Sequence, residues 1–135
     1  MRIRTLLLAL APLIVPAAAI AAEQPSLFDL LKQPAYRTAW ETMFQGKQPA
    51  PWIVTFAKTG NGVTSPSTPV TVEGDYDVLA WVCKPHDCGD NQLFVIFAPG
   101  GSKAWALAAE GERQRWYGDP DEAVRDALGK AVQGQ

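Results

Sequence analysis

The sequence predicts an α+β domain in which a five-stranded antiparallel sheet is flanked by N-terminal and C-terminal helices. Three features predict it. Large apolar side chains recur at helical spacing early in the chain, short apolar runs separated by turn residues fill its middle, and a well-capped helix start stands near its end. Of 135 residues, 47% are hydrophobic and 19% charged, with 11 Gly and 11 Pro, which excludes a disordered tail or a coiled coil and allows one domain.

The first 22 residues stand apart from that domain. Arg2 and Arg4 precede an uncharged stretch from Thr5 to Ala22, with an apolar run from Leu6 to Val15 and small residues at Ala19, Ala21 and Ala22. This is the pattern of a secretory signal peptide, with cleavage expected after Ala21 or Ala22. A retained membrane anchor is the alternative, but Pro12 and Pro16 interrupt a segment already short of the ~20 residues that a spanning helix needs. Residues 23–135 then form a single domain of 113 residues, enough for one modest core, in which 10 basic residues face 14 acidic ones. No later apolar stretch has spanning length, so no membrane association is expected after export. With no basic stripe to neutralise phosphates, nucleic acid is not an expected partner.

Within the domain, Ser26 with Asp29 three residues on marks a helix start, and Pro34 suits the first turn of a second helical segment. Tyr36, Trp40, Met43 and Phe44 place four large apolar groups on one helical face, with Gly46 as the expected C-cap. From Trp52 the period changes to two, Trp52, Val54 and Phe56 alternating with Ile53, Thr55 and Ala57, which predicts a strand. Residues 59–69, rich in Gly, Pro, Ser and Thr, are expected to form a loop, and Val70 to Glu73 a short strand ending at a Gly74-Asp75 turn. Tyr76 to Cys83 and Gln92 to Ala98 are apolar on both faces and should be central. Lys103 to Ala109 and Arg113 to Tyr117 complete the sheet. Asp119 as N-cap, Pro120 in the first turn and the following acids open the last helix, whose apolar edge is Val124, Leu128 and Val132. Short turns favour antiparallel pairing. The central strands need cover on both faces, so a second face must meet another helix, a loop or a second subunit, and a homodimer is permitted without being required.

Chemistry concentrates in one segment. Cys83-Lys84-Pro85-His86-Asp87-Cys88 connects the two central strands and holds both cysteines and the only histidine. In an oxidising compartment the cysteines are expected to form a disulfide, making this a protruding, disulfide-closed loop. So small a ring contributes only about 2 kcal/mol to folding, and a more economical reading is that it fixes His86 and its neighbours in one conformation. Other readings remain open. A metal site on Cys83, Cys88 and His86 would need carboxylate help to reach four ligands. A thiol oxidoreductase would favour two intervening residues at a helix N-terminus. A plain surface hairpin with a solvated histidine needs no function. Asp75, Asp77, Asp87 and Asp90 could pair as acid and base, but the chain has no nucleophile elbow, paired zinc-binding histidines or phosphate-cradling glycine loop. Neither a catalytic residue nor a cofactor can be assigned.

The hexapeptide resembles the CKPHDC loop of the Ivy family, periplasmic inhibitors of vertebrate, c-type lysozyme, at all six positions. The export signal, domain length, helix-then-strands order and terminal helix are also similar to that family across essentially the whole chain. The resemblance implies that the protein is a non-enzymatic periplasmic inhibitor, and that its loop enters the lysozyme cleft with His86 as the key contact. It also implies that an acidic chain meets a basic enzyme. Control of the cell's own lytic transglycosylases by the same loop is the alternative within the resemblance, and a periplasmic binding or structural module the alternative outside it.

Overall fold

The computed structural model describes residues 22–134, so the expected export signal lies, but for Ala22, outside the described residues. Helix α1 (Leu27–Leu30) begins at a reciprocal capping box. The Ser26 hydroxyl accepts the Asp29 N–H and the Asp29 carboxylate accepts the Ser26 N–H, as the spacing of the two residues implies. Helix α2 (Pro34–Met43) has Pro at its first position and buries Ala39, Trp40 and Met43. Tyr36 and Phe44 pack half-buried against the same core. This helix stops sooner than expected: Phe44 is the C-cap, and Gly46 turns the chain two residues later at φ 73°.

The expected strand from Trp52 to Ala57 is instead helix α3 (Pro51–Thr59). Its buried residues are Ile53, Phe56 and Ala57, the i, i+3, i+4 set of a helix face, and Val54, which alternation would have put inside, is 40% exposed. Pro51 at the first position starts the helix, and Gly60 stops it at φ 73° with its N–H on the Phe56 carbonyl at 2.7 Å. The 59–69 segment is also more regular than a loop. It contains β1 (Val63–Thr64) and the start of β2 (Thr68–Val72), which pair successively with the same edge of β3 (Asp75–Cys83).

The remaining strands are β4 (Asn91–Phe97), β5 (Ala104–Glu110) and β6 (Arg113–Tyr117), and all pairings are antiparallel, with β1-β3-β4-β5-β6 as the sheet order and β2 beside β3. Because β1 and β2 share one edge, six strands occupy the five positions of the expected meander. A two-residue hairpin joins β2 to β3 through Glu73 (φ 50°) and Gly74 (φ 88°), both left-handed as a type I′ turn requires.

Strand β4 carries the core. Leu93, Val95 and Phe97 face helices α1 to α3, and Phe94 and Ile96 face the last helix, all five essentially inaccessible. Helix α4 (Glu122–Gln133) closes that second face with Val124 and Leu128, and Val132 packs at its margin. Its N-cap is Asp121, whose carboxylate accepts the Val124 N–H at 3.0 Å, and not Asp119, which lies outside the helix at φ 52°. Both sheet faces are therefore covered within one chain, and covering them does not call for a second copy. Among the described residues no helix is long and apolar enough to cross a membrane.

Candidate functional site

The order of strands sets the loop at one end of the sheet. Strand β3 runs toward it and ends at Cys83, which is fully buried. Strand β4 leaves it at Asn91, and the β5–β6 hairpin turns beside it. Cys83 and Cys88 are joined by a disulfide with their Cα atoms 4.9 Å apart. The ring therefore springs from a rigid strand end.

Inside the ring, Lys84 to Asp87 form a β-turn closed by the Asp87 N–H on the Lys84 carbonyl at 3.1 Å. Pro85 fills the first central position, and His86 fills the second at φ 63°. A negative φ followed by a positive one is the type II arrangement, in which glycine is the favoured second residue. Histidine holds this position at a cost in backbone strain of the order of 1 kcal/mol. It is exposed, whereas Lys84, Pro85, Asp87 and Cys88 are each partly buried. The apex of the ring thus offers solvent an imidazole on a constrained turn.

Polar groups around the turn are paired with one another. The Lys84 ammonium lies 3.3 Å from the Asp87 carboxylate, which also accepts the Asn91 side-chain amide at 2.8 Å. The Lys84 N–H donates to the Asn91 carbonyl and the Asn91 N–H to the Asp87 carbonyl, each at 3.0 Å. From the other side, the Gly111 N–H donates to the Asp90 carbonyl at 2.7 Å, tying the base of the loop to the β5–β6 turn. Asn91, outside the hexapeptide, is thus a partner of both ends of the turn. The sequence signal for it was faint: a side chain able to donate, three residues after the ring closes, where the strand begins.

The four aspartates considered as acid and base are not brought together. Asp87 and Asp90 belong to the loop, whereas Asp77 lies six residues back along β3 from Cys83, about 20 Å away at the rise of a strand, with Asp75 beyond it. Asp77 is itself unusual. It is 4% exposed, its Oδ1 has no hydrogen-bond partner, and burial, followed by the nearby negative charge of Asp75, raises its carboxyl above the ordinary range. The disulfide uses both cysteines, and among the described residues no three His, Cys, Asp or Glu side chains converge as a metal site. An exposed imidazole can hydrogen-bond a partner in either protonation state. A neutral imidazole donates from one nitrogen and accepts at the other, and a protonated one donates from both.

A family model described as inhibitor of vertebrate lysozyme (Ivy) matches residues 35–134, which include all four strands around the loop and the loop itself. A Pseudomonas aeruginosa protein named inhibitor of vertebrate lysozyme is 40% identical over 132 residues, covering 87% of this chain and 84% of its own. An Escherichia coli K12 protein of the same name is 27% identical over 98 residues, covering 72% of this chain and 59% of its own. A Yersinia pestis protein with no assigned function is 27% identical over 120 residues, covering 79% and 76%. With the family model spanning most of the chain and a relative similar along nearly all of it, the chain belongs to the Ivy family.

Proposed function

We propose that the protein is a periplasmic inhibitor of c-type lysozyme that acts by placing the Cys83–Cys88 loop in the enzyme's cleft, led by His86. The observation that carries this reading is the exposed His86 at φ 63°, on the apex of a turn closed by a disulfide and anchored to a buried strand end. Strain of that kind persists only where the surroundings over-determine it, and it concentrates where a side chain must be aimed. Family membership and the name of the 40% identical relative support the choice of target.

The mechanism follows from what a lysozyme cleft contains: a glutamic acid of raised pKa and a nearby ionised aspartate. An imidazole between them can hydrogen-bond both carboxyl groups while the loop fills the space that the sugar chain would occupy. The Lys84 and Asp87 charges are committed to each other and to Asn91, so they bring little unpaired charge into the cleft. Because the disulfide and the hydrogen bonds around the turn together hold the loop in shape, little binding free energy is lost to ordering it. No bond is made or broken on the inhibitor, whose action is that of a plug and not of a catalyst.

Competition tests the reading. Filling the lysozyme cleft with a chitin trisaccharide should abolish binding of the inhibitor, measured by calorimetry. Simultaneous binding of the trisaccharide and the inhibitor would contradict insertion into the cleft.

A further inference from the structure

We propose that Asn91 is the positioning residue that holds His86 in its left-handed conformation, an inference that rests on the reading above only where inhibition is measured. The disulfide joins the ends of the ring but leaves the backbone between them several conformations. A non-glycine residue at positive φ needs a further constraint. Asn91 supplies it at both corners of the turn: its carbonyl accepts the Lys84 N–H, its own N–H donates to the Asp87 carbonyl, and its side-chain amide donates to Asp87 Oδ2. Lys84 and Asp87 are the first and last residues of the turn, so fixing them fixes what lies between. Asn91 is itself held as the first residue of β4, paired opposite Glu110 of β5. The sheet thereby sets the direction of an exposed imidazole through one residue, by its backbone and its side chain together.

The side-chain part of this grip can be reversed, which makes the inference testable. Asn91→Ala removes the amide donor, and Asn91→Asp sets a second carboxylate against that of Asp87, where neither can donate. The double variant Asp87→Asn/Asn91→Asp restores the bond with donor and acceptor exchanged. It gives up the Lys84 to Asp87 ion pair, but that pair is over a third exposed on both sides and contributes little. Each single variant should inhibit lysozyme roughly ten- to a hundredfold less well, the range expected for a hydrogen bond to a charged group. The exchanged pair should recover most of that loss, which it could not do if the Asp87 carboxylate acted by touching the target. Backbone ¹⁵N relaxation of the free protein gives a readout that needs no target. Residues 85–88 should gain mobility in Asn91→Ala and lose it again in the exchanged variant. Unchanged loop order in Asn91→Ala, or an exchanged variant as weak as the singles, would overturn the proposal. Should the wild type fail to inhibit lysozyme, the reading of the target falls, and the relaxation measurement still decides the role of Asn91.

Discussion

His86 occupies a backbone conformation at φ 63° that its turn would grant more cheaply to glycine, and the separation of that strain from the side chain's chemistry can be measured. His86→Gly relieves the strain but frees the unfolded chain, so stability should change by no more than about 1 kcal/mol in either direction while inhibition is lost with the imidazole. Retained inhibition in the glycine variant would show that loop shape, not histidine chemistry, carries binding. Asp77 is the opposite kind of residue, buried and without a partner for Oδ1. Its carboxyl is raised in the folded protein, so the folded state holds a proton more tightly than the unfolded chain, and stability falls as pH rises through the folded value. Asp77→Asn should therefore raise the melting temperature at neutral pH, with the gain shrinking as the pH falls toward 3.8, the ordinary value of the carboxyl. A lower melting temperature for the variant at pH 7 would contradict the burial argument.

Among the elements, α3 differs from its expected type, a helix where a strand was expected, and its residues show why. Trp52, Val54 and Phe56 alternate convincingly over six positions, but the same stretch satisfies a helical face through Ile53, Phe56 and Ala57. A short apolar run fits both periods, and the decision lay in the flanks, where Pro51 opens a helix and Gly60 ends one. Gly60→Ala should destabilise the protein by roughly 1–2 kcal/mol through its left-handed φ alone, more if the Phe28 ring, 3.0 Å from the added Cβ, cannot move aside. Denaturant unfolding of that variant checks it. Strands β3 to β6 and the N-terminal cap were legible because their turns and caps are local, whereas β1 was not, since two residues pair only because β3 already presents an edge. For the loop element, a ring this small contributes about 2 kcal/mol by chain entropy. Reduction of Cys83–Cys88 should thus leave a cooperative melt only modestly lowered and weaken inhibition far more. A reduced protein that unfolds outright would assign the bridge to the fold.

At the scale of the whole molecule, two covered sheet faces leave the loop end free to act as a rigid platform, and the balance of 14 acidic against 12 basic residues makes the chain acidic. Toward a basic lysozyme that balance should act on encounter more than on lifetime. Raising ionic strength from 0.01 to 0.15 M shortens the screening length from roughly 30 to 8 Å. The association rate should then fall on the order of tenfold with dissociation little changed, as surface plasmon resonance can follow. The candidate site was legible in the sequence as far as its hexapeptide, because both cysteines and the only histidine fall within six residues. Its aim was not, since the φ of His86 and the reach of Asn91 across the turn depend on the register of β3, β4 and β5. The central claim is that His86 blocks the cleft, and titrating lysozyme activity with wild type and His86→Ala, each melted in parallel, tests it most directly. Loss of a hydrogen-bonded contact between desolvated groups should weaken inhibition by about 2–5 kcal/mol, tens- to thousandsfold. Stability should move by less than about 0.5 kcal/mol, because the side chain is exposed and alanine inherits the same backbone strain. Equal inhibition by two equally folded proteins would contradict the account.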